Sequence, residues 1–167
     1  MKFDPSLIYT ESTSPLGPIW LAATDKGLAG MWFVGQRHAP DISDWTRIDN
    51  SHQHPVLNAA KQQLEAYFGG HLRQFDLPLE LSCGTVFQQS VWQALLRIPV
   101  GETTSYGEIS RRIAKPLAIR AVGTAISRNP ISIIVPCHRV VGADGSLTGY
   151  AGGLDRKLAL LQLEGAL

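Results

Sequence analysis

The sequence predicts an α+β protein, with a small antiparallel sheet and a covering helix in its N-terminal part and mostly helices in its C-terminal part. Three patterns indicate this: short apolar segments up to residue 34, a helical period from Val56 to Phe68, and a series of short helices after Gly84. With 167 residues, of which 44% are hydrophobic and 17% charged, the chain can form a stable core. We expect an N-terminal domain over residues 1–84 and a C-terminal domain over residues 85–167.

The sheet is predicted from three segments, residues 7–13, 18–24 and 28–34. All three are rich in β-branched and aromatic residues, and the turn sequences SPLGP and DKG separate them. This pattern is typical of an antiparallel meander.

Residues 35–55 show no sustained period and are expected to be largely loop. The three histidines of this stretch, His38, His52 and His54, are interpreted as solvated side chains. From Val56 the apolar residues recur on one helical face, and the glycines at 69 and 70 end this helix, which we expect to cover the sheet.

The C-terminal part begins with a helix that Thr85 can cap and that ends before Pro99. Ser105 has the capping-box spacing to Glu108, which predicts a second helix from Tyr106 to about residue 114. After a break at residues 115 and 116, a third helix extends to about residue 128. Two short helices joined by a turn form a helix-turn-helix, which commonly places one helix against DNA, although helical hairpins also occur in protein cores.

The third of these helices carries small residues on a face that also holds a long cation. The small residues are Ala118, Ala121, Gly123 and Ala125, and the cation is Arg120. Small side chains permit close approach of the backbone to a partner, and an arginine among them can reach phosphate or a base stack. This combination favours a nucleic-acid groove over a protein core.

The charge is distributed unevenly along the chain. Residues 1–84 contain six Lys/Arg and nine Asp/Glu, a net charge of −3, whereas residues 85–167 contain nine Lys/Arg and five Asp/Glu, a net charge of +4. The asymmetry favours a polyanionic partner for the C-terminal half, and chance scatter of surface charge is the alternative.

Targeting and metal signals are weak. The apolar runs are far shorter than the roughly 18 residues of a membrane span, and the N-terminus lacks a signal-peptide apolar region, so we expect a cytoplasmic protein without membrane contact. We also expect a monomer. Cys83 and Cys137 are 54 positions apart without zinc-site spacing, so we expect neither a metal nor a disulfide. Cys83 is interpreted as a packed side chain.

The segment IIVPCHRVV, residues 133–141, is the candidate site. A reactive cysteine needs a nearby base, and His138 follows Cys137 directly. Neighbouring side chains on a strand point to opposite faces, so contact requires a turn, which Pro136 favours, or a bridging water. The alternative is a buried, inert Cys137. The apolar run predicts a buried strand leading to this cysteine, and Arg139 has either a structural or a phosphate-facing role.

The segment NPISIIVPCHRVVGADGSLTGYAGGLDRK resembles the active-site region of the O6-alkylguanine-DNA alkyltransferases, whose signature is Pro-Cys-His-Arg-Val or a near variant. The flanking segments TSYGEIS, IRAVGTAISRNP and LLQLEG also fit this family in sequence and spacing. The resemblance covers the C-terminal half closely and the N-terminal half loosely.

The resemblance implies a role for each matching residue. Cys137 is expected to accept the alkyl group, activated through a water-bridged relay to His138 and Glu164, while Tyr106 stabilises the departing guanine. Arg120 is expected to replace the extruded base in the stack. The further DNA-binding residues are Ser105, Ala118, Ala121 and Gly123, and those of the hinge, pocket and lid are Asn129, Val140, Tyr150 and Ala151.

The implied activity is DNA repair by irreversible, single-turnover transfer of an alkyl group from O6-alkylguanine in double-stranded DNA, with O4-alkylthymine as a second candidate substrate. The target base is expected to be flipped out of the duplex, because an alkyl group inside the helix is out of reach. No cofactor or metal is needed for this displacement. The alternatives are a lesion-binding module without chemistry, whose relatives lack the acceptor cysteine, and a thiol hydrolase that uses Cys137 and His138.

Overall fold

The computed structural model describes residues 1–167 and has a four-stranded sheet in its N-terminal half. Its strands are β1 (Ile8–Ser12), β2 (Ile19–Ala23), β3 (Leu28–Phe33) and β4 (Thr46–Arg47), in the order β3-β2-β1-β4. The three long strands form the predicted antiparallel meander, and β4 pairs parallel to β1. Strand β4 lies within the stretch that was predicted to be largely loop. Its two residues are too few to produce a period in the sequence.

Helix α1 (Pro55–Phe68) packs on this sheet, as predicted. Its apolar face buries Leu57, Ala60 and Leu64, and the chain reverses at Gly70, whose φ of +77° suits glycine. His54 is not merely solvated, because its Nδ1 accepts a hydrogen bond from the backbone N–H of Leu57 and so caps the helix.

The C-terminal half contains helices α2 (Val86–Leu95), α3 (Tyr106–Arg112), α4 (Ile119–Ser127) and α5 (Leu154–Leu163). Two short strands, β5 (Thr104–Ser105) and β6 (Val140–Val141), pair in parallel beside them. Helices α3 and α4 form the predicted helix-turn-helix. None of the helices combines the length and apolar character that a membrane crossing requires.

The helix ends follow the predicted caps with one difference. Thr85 forms a complete capping box with Gln88 at the start of α2. Ser105 accepts from the N–H of Glu108, but the Glu108 carboxylate binds Arg111 and Arg112 instead of reaching back. Helix α3 also ends before residue 114, which has a positive φ of 58° and leaves the helical conformation.

The predicted strand before Cys137 is wrong. A single β-bridge joins Ile131 to Met31, the chain then turns through Ile133 at a φ of +72°, and Cys137–Arg139 form one 3₁₀ turn. Residues 129–141 are all buried, so the apolar run reflects burial rather than strand geometry. A short apolar run does not by itself distinguish a strand from other buried backbone.

Both halves contribute to one hydrophobic core of 27 buried residues, which includes Phe33 and Leu57 from the first half and Trp92 and Leu160 from the second. The backbone of β3 also bonds directly to the segment before the candidate site, through Met31 N–H to the Pro130 carbonyl at 2.9 Å. The sheet therefore fixes the position of the segment that carries Cys137.

Candidate active site

Cys137 borders a cavity of about 160 Å³ between the two halves of the chain. Five of the predicted site residues line the cavity, namely Tyr106, Gly123, Cys137, Tyr150 and Ala151. Its other lining residues, which were not predicted, are Arg37, His38, Ile126, Ser127 and Gly149. The first half of the chain therefore contributes to the mouth of the site.

The thiol of Cys137 is almost completely buried, with 5% of the residue exposed. Burial raises the pKa of this thiol, while a hydrogen bond from Asn129 opposes the shift. Cys137 is thus a protonated thiol at rest, and it needs a base before it can act as a nucleophile.

Asn129 ties the end of α4 to the turn that carries the cysteine. Its Nδ2 donates to the Val135 carbonyl at 2.7 Å and to Sγ of Cys137 at 3.1 Å, and its Oδ1 accepts from the N–H of Ile131 at 2.9 Å. The location suits the expected hinge. The contact with the sulfur was not predicted, because nothing in the spacing of the two residues indicates it.

His138 is fully buried, and its Nε2 lies 2.8 Å from Oε1 of Glu164. Burial lowers the pKa of His138, although the neighbouring carboxylate acts in the opposite direction, so the ring is neutral at pH 7. A carboxylate can only accept, so Nε2 carries the proton and Nδ1 is left as a base. Nδ1 is buried and has no hydrogen-bond partner in the protein.

Glu164 follows α5 and accepts hydrogen bonds from three side chains. Arg139 donates from Nε to Oε2 and from Nη2 to Oε1, both at 2.9 Å, and the hydroxyl of Tyr67 donates to Oε1 at 2.8 Å. Burial by itself raises the pKa of Glu164, but the bonds from His138 and Arg139 outweigh it and hold that pKa at about 2. The carboxylate is therefore ionised at neutral pH.

Arg139 has a structural role and does not face phosphate. Its side chain is only 7% exposed, and Nη1 donates to the carbonyl of Ile98 at 2.6 Å while the other nitrogens hold Glu164. Planar bidentate geometry of this kind is typical of a buried arginine and carboxylate pair.

Tyr106 and Tyr150 face the cavity from two sides. The hydroxyl of Tyr106, at the start of α3, lies 3.4 Å from the carbonyl of Thr148. The hydroxyl of Tyr150 is buried without a partner, and burial, with a further contribution from Cys137, raises its pKa well above the ordinary value. Ala151 is held by a bond from the N–H of Arg37 to its carbonyl at 3.0 Å.

Val140 does not line this cavity, in contrast to the prediction. It pairs with Thr104 in the small sheet, and its carbonyl accepts a bond from Nζ of Lys157. Lys157 also donates to the carbonyl of Thr148 at 2.7 Å and thereby joins β6 to the segment that leads to Gly149 at the cavity.

Lys157 was missed, although the sequence contains a signal for it. It lies three, four and seven positions before Leu160, Leu161 and Glu164, which is the spacing of one helical face, and all four are buried. Burial lowers the pKa of this lysine to about 8.

The exposed face of α4 contains Arg120 and Ala121, with Ala118 half-buried at its start. The guanidinium of Arg120 makes no hydrogen bond or ion pair within the protein. The prediction that Ala125 shares this face is wrong. Ala125 is buried, and its carbonyl accepts a hydrogen bond from Nε1 of Trp92 at 2.9 Å.

His38 is exposed, as expected for a loop residue, yet it stands at the mouth of the cavity beside Arg37. Its φ is +60°, a conformation that side chains other than glycine rarely adopt. Partial burial and the neighbouring cations Arg128 and Arg37 lower the pKa of His38.

Comparison with protein families identifies both halves of the chain. Residues 7–81 match the 6-O-methylguanine DNA methyltransferase, ribonuclease-like domain, and residues 86–166 match the 6-O-methylguanine DNA methyltransferase, DNA binding domain. A methylated-DNA–protein-cysteine methyltransferase of Mycobacterium leprae is 53% identical over 151 residues, covering 90% of this chain and 88% of the relative. That of Methanosarcina acetivorans is 50% identical over 161 residues, covering 96% and 99%.

The fold is also similar to a solved structure. The crystal structure of Mycobacterium tuberculosis OGT in complex with DNA matches with a TM-score of 0.86 and 49% sequence identity, over 95% of this chain and 93% of that one. Since the family models match both halves and the relatives are about half identical over almost the whole length, the chain belongs to the 6-O-methylguanine DNA methyltransferase family.

Proposed function

We propose that the protein repairs DNA by transferring the alkyl group of O6-alkylguanine directly to the sulfur of Cys137. The observation that carries this proposal is the buried thiol at the cavity, next to a neutral His138 that is paired with an ionised Glu164. The family membership and the names of the relatives support the same reaction.

The transfer is a displacement at the alkyl carbon. The Cys137 thiolate forms the carbon–sulfur bond, the bond from that carbon to O6 breaks, and its electron pair passes to the guanine, which takes up a proton. The products are a thioether and guanine. A thioether has no simple hydrolytic route back to the thiol, so each protein molecule repairs one lesion and acts as a single-turnover methyltransferase.

His138 serves as the base in this proposal. Its free Nδ1 accepts the thiol proton through a bridging water, since Sγ and the ring form no hydrogen bond with each other, and Glu164 stabilises the resulting imidazolium. Tyr106, which lines the cavity, stabilises the negative charge on the departing base. A positioned donor of this kind contributes roughly 10²- to 10⁴-fold to a rate.

DNA binding is proposed for the exposed face of α4 and the start of α3. The guanidinium of Arg120 has no partner in the protein and can stack where the target base has left the duplex, which offsets the few kcal/mol of unstacking. Ser105, Ala118, Ala121 and Gly123 allow the backbone to approach the groove. A DNA complex of the M. tuberculosis relative supports a DNA partner here.

The hinge, the lid and the two domains also have proposed roles. Asn129 is the hinge between α4 and the active-site turn, and Tyr150 and Ala151 form part of the lid over the flipped base. Residues 1–84 form one domain and residues 85–167 a second that binds DNA and accepts the alkyl group. The protein acts as a cytoplasmic monomer on alkylated duplex DNA, with O4-alkylthymine as a second substrate.

Mass spectrometry tests the reaction. After incubation with a duplex that contains O6-methylguanine, the peptide with Cys137 should gain about 14 Da, the mass of an added methylene. Cys83→Ala is the matched control and should leave the gain unchanged, whereas Cys137→Ala should abolish lesion removal. Lesion binding without a mass gain would support the binding-module alternative, and repeated turnover of a small ester would support the hydrolase.

A further inference from the structure

Tyr67 reaches the candidate active site from the other half of the chain. It lies in the last turn of α1, 97 positions before Glu164, and its hydroxyl donates a hydrogen bond to Oε1 of Glu164 at 2.8 Å. Tyr67 is 2% exposed, and the carboxylate is equally protected. The bond is therefore made out of contact with solvent, where hydrogen bonds to a charged group are strongest.

The hydroxyl competes with His138 for one oxygen atom. Oε1 of Glu164 accepts from Tyr67 at 2.8 Å, from Nε2 of His138 at 2.8 Å and from Nη2 of Arg139 at 2.9 Å. A carboxylate oxygen has about two lone-pair positions, so three donors share its charge. How strongly Glu164 attracts the proton on His138 thus depends on the bond from Tyr67.

Packing alone does not account for a tyrosine at this position. The ring is held between Phe68 and Phe75, with both ring centroids at 5.3 Å, and a phenylalanine would make the same ring contacts. A buried hydroxyl costs free energy unless it is hydrogen-bonded, and the bond that Tyr67 makes is to Glu164.

We propose that Tyr67 is a positioning residue for the alkyl transfer: its hydroxyl fixes the Glu164 carboxylate and limits the basicity of His138. This inference rests on the proposed function of Cys137 and His138. Through Tyr67, the first half of the chain would influence alkyl transfer as well as contribute to the hydrophobic core.

The other ionisable groups around the carboxylate are cations and further weak acids. Arg139 pairs with it, Lys157 lies on α5 and influences His138, and Arg73 lines a small cavity with Tyr67 and Glu164. Tyr150 is close enough to Cys137, Arg156 and Glu164 for their charges to affect its pKa, and Cys137 and Tyr150 are both protonated at neutral pH. All of these remain when the Tyr67 hydroxyl is removed, so the change isolates one donor.

The sign of the effect follows from charge. Without the Tyr67 hydroxyl, the negative charge on Oε1 is less well stabilised and interacts more strongly with the proton on His138. The imidazolium form is then favoured, and the pKa of His138 rises. Because His138 must be neutral to accept the thiol proton, the acid limb of the pH–rate profile should move to higher pH.

The experiment compares single-turnover alkyl transfer by the full chain and by Tyr67→Phe from pH 5 to pH 9, with a duplex that contains O6-methylguanine. The acid limb should move up by about 0.5 to 1 pH unit, so the rate on that limb falls about 3- to 10-fold, with a smaller change on the plateau. Tyr67→Met is a second variant without the hydroxyl, and its flexible side chain fills the same space.

Two controls make the result decisive. Tyr9→Phe, on the outer face of the sheet, should leave the profile unchanged, and in a Glu164→Gln background Tyr67→Phe should cause no further movement of the limb. An unchanged profile, or a fall by the same factor at every pH, would overturn the inference while leaving alkyl transfer intact. If the wild-type chain does not alkylate Cys137 at all, the proposed function fails instead.

Discussion

The amide nitrogen of Asn129 donates one hydrogen bond to the sulfur of Cys137, at 3.1 Å, and a second to the carbonyl of Val135, at 2.7 Å. The same side chain therefore holds the nucleophile and the turn that presents it. Alkylation of Cys137 would place new atoms beside this amide, at a residue that is only 5% exposed. The end of α4 is thus mechanically connected to the state of the thiol.

Asn129→Ala should reduce both stability and reactivity. It leaves the N–H of Ile131 buried without its partner, while the carbonyl of Val135 keeps the bond from the N–H of Cys137 at 2.8 Å. The orphaned group costs about 1 to 3 kcal/mol in the free energy of unfolding. The substitution also removes the donor that favours the thiolate, so alkyl transfer at pH 7 should slow by about tenfold. Urea unfolding and single-turnover rates measure the two effects. Asn58→Ala, at a half-buried site on α1, is the control, and equal losses in both variants would contradict the assignment.

Local sequence patterns predict the helices and the long strands of the fold, but not the conformation of the segment that leads to Cys137. The three long strands, α1 and the α3–α4 pair were each predicted from a period or a cap that neighbouring residues determine. The apolar run before Cys137 predicts a strand, yet it is a bridge, a turn through Ile133 and a 3₁₀ turn. Burial on all sides removes the alternation that would have distinguished these conformations.

The polar network was inaccessible to the sequence for a different reason. Adjacency suggested that Cys137 and His138 act together, and Glu164 was identified through the family resemblance. No local pattern in the sequence links His138 or Glu164 to Tyr67, which lies in α1, the helix that packs on the sheet. The hydrogen bond between Tyr67 and Glu164 depends on how the two halves of the chain pack. The spacing of these residues in the sequence therefore does not predict it.

Stability should fall in acid because of Glu164. Its pKa is about 2 in the folded chain, below the ordinary value of 4.5, so its contribution is fully present above pH 4.5 and is lost as the pH falls toward 2. The expected loss from this group is about 2 to 3 kcal/mol. Urea unfolding from pH 6 to pH 3 should therefore show a steeper fall for the wild type than for Glu164→Gln. A parallel pH dependence in the two proteins would show that the carboxylate is not held as described.

Lys157 should have the opposite relation to pH. Its pKa is about 8 in the folded chain and 10.5 when exposed, so the unfolded chain binds more protons between these values and stability rises with pH across this range. Lys157→Met removes this rise, and it removes the ammonium bonds to the carbonyls of Val140 and Thr148, of which the second keeps the Tyr106 hydroxyl at 3.4 Å. Urea unfolding at pH 7.5 and pH 9.5 measures the difference. Lys61→Met on α1 is the control and should keep the wild-type rise.

Arg120→Ala should slow repair of a lesion in a duplex much more than repair of the same lesion in a single strand. Without this side chain nothing fills the gap left by the flipped base, whereas a single strand has no stack to restore. We expect a loss of about 10- to 100-fold for the duplex, from the few kcal/mol of unstacking. Single-turnover rates with both substrates measure this loss, and Arg47→Ala, on the opposite half of the chain, should change neither rate.

The salt dependence of DNA binding distinguishes two roles of Arg120. Loss of a stacking arginine should leave the salt dependence nearly unchanged, while loss of a phosphate contact should reduce its slope by about one. Equal slowing on both substrates with a reduced slope would therefore assign Arg120 to phosphate binding and remove it from base replacement.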